Sequence, residues 1–307
     1  MNKDRDLPAP AVTPVRVALA TCRAVPTLTE GDQRTLKALL AAGLDARVEV
    51  WDASSAHWNS YALVVVRSCW DYHRRPEEFR NWIRALEAAA VDVRNPPAVI
   101  LWNLHKSYLL DLERAGVEVV PTELVPRGGR RRLVEILRRR RCTQAVFKPA
   151  VSASAHGTQR TRLADADQLQ AAFLSLLEKD DVLVQPFLPE LTRGELSLLF
   201  LGGRYSHAVL KRAAPGEFRV QAEFGGSTEP ATPSPAVCAA AQQALAAAQS
   251  FVPDVARCLY ARVDGTVRSG RFVVTELELI EPHLFLEQAP GAPERFAAAI
   301  VAAVDRS

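Results

Sequence analysis

The first third of the chain alternates short apolar runs with amphipathic segments, and this alternation restricts the fold more than any other feature of the sequence. The apolar runs are typical of buried strands: VRVALA (15–20), RVEVW (47–51), LVVVR (63–67) and VDVRN (91–95). Helices are predicted between them, one with Thr29 as N-cap and Gly43 at its C-terminal end, another starting near Pro76. Strands that alternate with helices predict a parallel sheet covered by helices, so we expect an α/β lobe over residues 15–102.

A central lobe of α+β character is predicted over residues 103–189. Asn103 is suited to cap a helix that ends before Gly116, and VEVVPT (117–122) has the composition of a short strand. The arginine-rich stretch 127–142 has one apolar stripe, which is typical of a solvated amphipathic helix. A nucleic-acid site would need interleaved aromatic side chains for stacking, and this stretch has none, so we do not expect a nucleic-acid partner.

The last segment, residues 190–307, is rich in hairpins. Two strand pairs are predicted, with turns at Gly202–Gly203 and at Ser269–Gly270. Between them lies an alanine-rich helix that Ser234 is placed to cap, and a further helix closes the chain. At the other end, residues 1–14 are polar and proline-rich, and we expect a disordered leader there.

Composition excludes several classes of protein. The 307 residues carry a net charge of +3, which is too small to indicate a polyanionic partner. No apolar run reaches the roughly 18 residues of a membrane span, and the N-terminus lacks the apolar core of a signal peptide. The five cysteines are far apart and form no C-x-x-C pair, which fits a reducing cytoplasm and disfavours a structural zinc site. We therefore expect a cytoplasmic globular protein.

Lys148 stands inside an apolar run that is followed by a loop of small residues, SASAHG (152–157). A lysine is rarely buried without a partner, so it either reaches water along an edge strand or holds an anion such as phosphate. The chain has neither a P-loop nor a dinucleotide-binding glycine motif. A bound nucleotide would therefore have to be held in another way.

Three acids in the last strand pair form the clearest chemical signal. Glu276 and Glu278 are two residues apart, so they share one face of a strand, and Asp264 lies on the preceding strand of the same hairpin. Stacked carboxylates repel one another unless a cation neutralises them, and hard oxygen ligands suit Mg²⁺. Because apolar residues flank these acids, we prefer a metal site to a solvent-exposed sheet face.

Basic residues that suit an anionic substrate precede the acids in the sequence. Lys211 and Arg219 lie in a segment that ends in the pair Gly225–Gly226, and arginine is suited to bidentate capture of phosphate or carboxylate. We predict catalytic roles for Lys211 and Arg219 and a substrate-binding role for the two glycines.

The order of these elements resembles the ATP-grasp superfamily over about residues 102–282. AVLKRAAPGEFRVQAEFGG (208–226) is similar to a segment of the glutamate ligases that modify ribosomal protein tails. ARVDG (261–265) and VVTELEL (273–279) resemble their metal-binding segment. The resemblance implies an ATP-grasp fold, in which a parallel-sheet lobe joins two lobes that sandwich ATP.

Roles for individual residues follow from this resemblance. Lys106 and Lys148 would contact the ATP phosphates, and Arg219 would steady the transferred phosphoryl group. Asp264, Glu276 and Glu278 would hold Mg²⁺. The remaining ATP contacts are implied for the mobile loop, the adenine hinge and the ribose: Ser152, Ser154, Gly157, Gln185, Pro186, Phe187, Leu188, Glu190 and Glu195. Two departures are notable, since the family usually has Asn at position 278 and an acid after Gln185.

The implied reaction activates a carboxylate with ATP and couples it to a nitrogen nucleophile. In the first lobe, RSCWDY (67–72) follows a predicted parallel strand, where open α/β sheets bind ligands, and we predict Arg67 as a substrate residue. This lobe resembles a subgroup of ATP-grasp enzymes in small-molecule biosynthesis that includes the cyclo-ligase closing D-cycloserine from O-ureido-D-serine. An amino-acid-like small molecule is therefore the expected substrate.

Other functions stay open at this point. An intermolecular amino-acid or dipeptide ligase would use the same site, and a peptide-tail ligase would use the arginine-rich stretch to recruit an acidic tail. A regulatory module would bind ATP without turnover, although the full set of acids and Arg219 argues against it. An RNA-binding protein would show strongly salt-dependent binding. A homodimer is also compatible with the sequence.

Overall fold

The first lobe of the computed structural model, which describes residues 14–305, contains a four-stranded parallel sheet. Its strands are β1 (Arg16–Thr21), β2 (Asp45–Val50), β3 (Leu63–Val66) and β4 (Val93–Arg94), in the order β2-β1-β3-β4. Helices α1 (Glu30–Ala41) and α2 (Pro76–Ala88) connect them. The Thr29 hydroxyl accepts a hydrogen bond from the Asp32 amide at 3.2 Å, so the predicted N-cap is confirmed. The expected leader, residues 1–14, lies outside the described residues except for its last position.

The central part of the chain forms a second, antiparallel sheet. Its elements are α3 (Pro97–Asn103), α4 (Tyr108–Arg114), β5 (Glu123–Val125), α5 (Leu133–Arg139), β6 (Gln144–Pro149), β7 (Gln159–Arg162), α6 (Gln170–Leu177) and β8 (Val182–Pro186). The strand order is β5-β8-β6-β7. On α5, the apolar stripe is buried and the arginines are largely exposed, as predicted for an amphipathic helix, although the helix is shorter than the basic stretch.

Two sequence predictions in this part were wrong. Asn103 is the last residue of α3 instead of a helix N-cap, because its side chain is used in tertiary contacts. Its amide donates to the Leu277 carbonyl at 2.9 Å and its carbonyl accepts from the Leu279 amide at 2.8 Å. The segment 117–122 forms only an isolated bridge between Val119 and Val274, and the strand begins later, at Glu123.

The C-terminal part forms a five-stranded sheet in the order β11-β10-β9-β12-β13. Its elements are β9 (Glu195–Leu201), β10 (Arg204–Arg212), β11 (Ser227–Ala231), α7 (Pro235–Ala248), β12 (Tyr260–Arg268), β13 (Arg271–Glu278) and α8 (Ala292–Val304). The two hairpins predicted at Gly202–Gly203 and Ser269–Gly270 are confirmed. The Ser234 side chain accepts from the Val237 amide at 3.4 Å and so caps α7, as expected.

A shared core joins the first lobe to the C-terminal sheet. Leu63 of β3 packs in one apolar cluster with Leu199 of β9 and Phe296 of α8. The Tyr260 hydroxyl lies within hydrogen-bond distance of the carbonyl oxygens of Val66 and Ile280, at 2.5 Å and 2.8 Å. These contacts fix the end of β3 beside the segment that follows β13. Among residues 14–305, no helix is both long and apolar enough to cross a membrane.

Candidate active site

A cavity of about 620 Å³ lies between the central sheet and the C-terminal sheet. Most of the site residues predicted from the sequence line it, although they come from segments far apart in the chain. These are Lys106, Lys148, Ser152, Ser154, Gln185, Pro186, Phe187, Leu188, Glu195, Lys211, Arg219, Asp264, Glu276 and Glu278. Gly157, Glu190, Arg67, Gly225 and Gly226 are not part of the lining.

Two lysines of the central lobe face an acid of the C-terminal sheet across the cavity. The Lys148 ammonium lies 2.5 Å from Glu276 Oε1, and the Lys106 ammonium lies 3.5 Å from the same oxygen. Lys106 follows the end of α3, and its backbone amide donates to the Ala150 carbonyl at 2.9 Å. Burial alone would raise the pKa of Glu276, but Lys106 and Lys148 outweigh it and hold that pKa far below its ordinary value.

Asp264 lies at the centre of a second charged network. Its carboxylate accepts from the Lys211 ammonium at 2.8 Å, from Arg262 Nε at 2.9 Å and from the Ser197 hydroxyl at 2.7 Å. Burial opposes the charge of Asp264, but the two cations prevail and lower its pKa. Lys211 also pairs with Glu195 at 2.8 Å, so acids and bases alternate across the wall of the cavity.

Glu278 is the least compensated acid of the predicted metal site. Its carboxylate accepts a short hydrogen bond from Arg262. Burial raises the pKa of Glu278 to about 7, and the neighbouring charges of Asp264 and Glu276 add to this effect. The carboxylate would therefore be stabilised by an additional cation.

The three predicted Mg²⁺ ligands come from adjacent strands, since Asp264 of β12 is paired in register with Glu276 of β13. In the described residues, however, no three His, Cys, Asp or Glu side chains converge closely enough to form a preformed metal site. The carboxylates instead contact Lys148, Lys211 and Arg262. The oxygen donors, and Glu278 with its single cationic partner Arg262, fit a hard divalent cation. The Mg²⁺ assignment stays a prediction.

The predicted adenine hinge follows β8. The Gln185 side chain donates to the Thr122 hydroxyl at 2.9 Å, and the Phe187 amide donates to the Gln144 carbonyl at 3.0 Å. Because the Phe187 amide is already used, it is not available to adenine in this structure. The Arg160 guanidinium covers the Phe187 ring at 3.7 Å, which fixes the outer edge of the hinge.

The acids proposed for ribose binding differ in position. Glu195 lines the cavity, but it accepts from the Thr275 hydroxyl at 2.6 Å in addition to its pair with Lys211. Glu190 lies outside the lining, where Arg268 is 3.7 Å away. Glu195 therefore belongs to the charged network of Asp264 and Lys211.

The predicted mobile loop contributes its serines to the cavity and uses its glycine for a turn. Ser152 and Ser154 line the cavity, and the Ser152 hydroxyl donates to the Pro149 carbonyl at 3.1 Å. Gly157 has φ +69°, and a Cβ atom there would lie 2.9 Å from the ring of Pro149. The glycine is thus required by the backbone conformation and by close packing.

Arg219 lines the cavity on a loop between β10 and β11. Its guanidinium pairs with Glu217 at 2.6 Å and stacks on the Phe224 ring at 3.6 Å. A Cβ atom on Gly226 would lie 2.1 Å from the Val220 carbonyl oxygen, and Gly225 has φ +77°. In this structure the two glycines shape the loop that carries Arg219, and they do not reach the cavity.

Arg67 is also placed differently from the expectation. The side chain is 2% exposed, its Nε lies 3.0 Å from Asp32 Oδ1, and its Nη2 donates to the Pro282 carbonyl at 3.1 Å. It therefore joins the first lobe to the segment after β13 and has no contact with the cavity.

Several lining residues were not predicted from the sequence. Arg262 stands two positions before Asp264, so the period of a strand already places both on one face. Trp70 and Glu281 also line the cavity, and the Trp70 indole donates to the Glu281 backbone carbonyl at 2.9 Å. These two residues are 211 positions apart, and no local pattern connects them.

The two sheets with a charged cavity between them, together with the matches to known ligases, place the chain among the ATP-grasp carbon–nitrogen ligases. Residues 17–95 match a family model described as the N-terminal domain of D-cycloserine synthetase DcsG. The cycloserine biosynthesis protein DcsG of Streptomyces lavendulae is 30% identical over 276 residues, which cover 86% of this chain and 91% of that protein. The chain belongs to the DcsG family.

Solved structures agree with this assignment. The crystal structure of D-cycloserine synthetase DcsG matches with a TM-score of 0.85 and 27% identity, covering 94% of this chain and 99% of that one. D-alanine–D-alanine ligase from Bacillus anthracis, complexed with ATP, matches with a TM-score of 0.68 and 14% identity, covering 95% and 98%. The second match shows the shared fold alone. The predicted fold class is confirmed.

Proposed function

We propose that this ligase activates the carboxylate of an amino-acid-like substrate with ATP and closes it onto a nitrogen of the same molecule. The proposed substrate is O-ureido-D-serine and the product is D-cycloserine. The observation that carries the proposal is the cavity itself, in which cations from the central lobe face carboxylates of the C-terminal sheet. Membership of the DcsG family supports the choice of substrate.

The proposed reaction balances in three steps. A substrate carboxylate oxygen attacks the γ-phosphorus of ATP, the bond to the β-phosphate oxygen breaks, and an acyl phosphate and ADP result. The ureido nitrogen bonded to oxygen then attacks the acyl carbon and phosphate leaves. Water removes the carbamoyl group as carbon dioxide and ammonia. No covalent bond to the protein is needed, so positioning and electrostatics provide the catalysis.

Seven charged side chains of the cavity have a role in this scheme. Lys106 and Lys148 would exchange their contact with Glu276 for the phosphate oxygens of ATP. Arg262 and Arg219 would offset the negative charge that develops during transfer. When bound, Mg²⁺ would neutralise phosphate oxygens, and Asp264, Glu276 and Glu278 would hold it.

Closure of the small-residue loop would protect the acyl phosphate from water. Ser152 and Ser154 already border the cavity, so the loop needs to cover an existing opening. Excluding water also strengthens the charge interactions inside the site.

ATP binding without turnover would instead support the alternative function of a regulatory module.

The proposal is tested by ADP and phosphate release from Mg-ATP across a panel of amino acids, dipeptides and O-ureido-D-serine. We expect release with O-ureido-D-serine and a product with the mass of cycloserine. A coupled product from two amino acids would favour the intermolecular ligase. For variants of the cavity lysines, Lys179→Ala is a suitable control, since Lys179 is exposed in the central lobe and lies outside the cavity lining.

A further inference from the structure

Glu281 is a buried acid that borders the cavity but belongs to neither charged network. It follows the end of β13 by three residues, and only 6% of it is exposed. Its carboxylate has a hydrogen bond from its own backbone amide. Within residues 14–305, no side chain of another residue donates a hydrogen bond to it or forms an ion pair with it.

The cations nearby are already used by other acids. Arg262 contacts Asp264 and Glu278, and its Nη1 donates to the His283 carbonyl at 3.1 Å. The imidazole of His283 does not supply a charge, because burial and the neighbouring Arg262 lower its pKa to about 4. An unpaired buried carboxylate is costly, and burial raises the pKa of Glu281 to about 8. In the free protein, Glu281 is therefore an acid whose charged form a bound cation would stabilise.

The surroundings of Glu281 suit an ammonium group. The rings of Trp70 and His283 are 5.9 Å apart, and those of His283 and Phe285 are 4.4 Å apart, so aromatic side chains border this end of the cavity. Aromatic faces attract cations. In addition, Gln288 Oε1 is buried without a donor and lies on a residue that lines the same cavity. Gln288 Oε1 thus lacks a donor, and the Glu281 carboxylate has none from another residue.

We propose that Glu281 binds the α-ammonium group of the amino-acid substrate. The inference rests on the proposed function, because in that reaction the substrate carboxylate becomes the acyl phosphate and then the ring carbonyl. The ammonium is the charged group that persists from substrate to product. A carboxylate at Glu281 holds the substrate by that group throughout, and the aromatic side chains exclude water around it.

The experiment compares binding and turnover in wild type, Glu281→Gln and Glu287→Gln, each with O-ureido-D-serine and with the same compound lacking the amino group. Binding is measured calorimetrically with a non-hydrolysable ATP analogue and Mg²⁺, and ADP release is measured with ATP. Glu287→Gln is the matched control, because Glu287 is a nearby acid outside the cavity lining. Thermal melting and the apparent affinity for ATP verify that each variant is folded.

We expect wild type to bind the amino compound about 10- to 100-fold more tightly than the deaminated one, as for one charge-assisted hydrogen bond. Glu281→Gln removes this preference and leaves ATP affinity unchanged, while Glu287→Gln retains both. An amine preference that survives in Glu281→Gln overturns the proposal. So does a higher Mg²⁺ requirement with the preference intact, which would make Glu281 a metal ligand.

Failure of the proposed function has a different signature. If wild type prefers the amine and Glu281→Gln loses that preference, the recognition by Glu281 stands even when no ADP is released. In that case the ligase reaction with this substrate is refuted. If instead wild type turns over both compounds equally well and binds them alike, the ligase stands and the role of Glu281 is refuted.

Discussion

Replacing Lys148 by Ala is the most informative single perturbation of the site. The ammonium removed is one of two that face Glu276 at the cavity wall, and its contact of 2.5 Å is the shorter one. If Lys148 contacts the transferred phosphoryl group, its loss should lower kcat/KM by about 100- to 1000-fold, or roughly 3–4 kcal/mol of transition-state stabilisation. The change should be seen in the initial rate of ADP release at substrate concentrations well below KM.

The same variant should be only moderately less stable than wild type. Glu276 keeps Lys106 as a partner, and its side chain is 22% exposed towards the cavity, so water partly replaces the missing ammonium. We expect a loss of about 1–2 kcal/mol in urea unfolding. Lys179→Ala should match wild type in both assays. Turnover within about threefold of wild type in folded Lys148→Ala would refute the phosphate role.

Three further predictions concern Glu276 of the predicted metal site, Arg262 in the cavity wall, and the buried pair of Asp32 with Arg67. Glu276→Gln should raise the Mg²⁺ concentration needed for half-maximal ADP release by at least about tenfold, because a charged ligand is lost. An unchanged Mg²⁺ dependence of ADP release would refute the assignment of Glu276 as a metal ligand. Arg262→Lys should lower kcat by about 100-fold, since one ammonium cannot bridge Asp264 and Glu278 as a guanidinium does. Arg268→Lys, at a half-exposed position, should leave kcat unchanged. Equal kcat values for the two variants would contradict this prediction. Asp32→Asn should lower the free energy of unfolding in urea by about 3 kcal/mol, because the buried Arg67 loses its charged partner. Glu30→Gln breaks an exposed ion pair on the same helix and should cost less than about 1 kcal/mol. Similar losses in the two variants would show that the buried pair contributes no more than the exposed one.

The parts of the fold that the sequence predicted well depend on local patterns. The parallel sheet follows from apolar runs that alternate with helices, and the acidic hairpin follows from the turn at Ser269–Gly270 and the spacing of Glu276 and Glu278. In each case the signal lies within a few residues of the element it specifies. The expected contact of Lys148 with the ATP phosphates followed from the family resemblance.

The parts that the sequence did not predict depend on contacts between distant residues. Arg67 looks like a ligand at the end of a parallel strand, yet its carbonyl acceptor, Pro282, is 215 positions away. Asn103 looks like a helix cap, but it bonds the backbone of β13. Glu281 carries no local motif at all, and its burial becomes evident only in the folded chain, where Trp70 of the first lobe contacts its backbone. Such roles are set by tertiary packing, which overrides local propensity.

The most direct test of the account is the stoichiometry of the wild-type reaction with O-ureido-D-serine and Mg-ATP. ADP, phosphate and ammonia should appear together with one molecule of cycloserine per ATP consumed, measured by enzyme-coupled assay and mass spectrometry. ATP binding without ADP release, or ADP release with no cyclic product, would contradict the proposed ring closure.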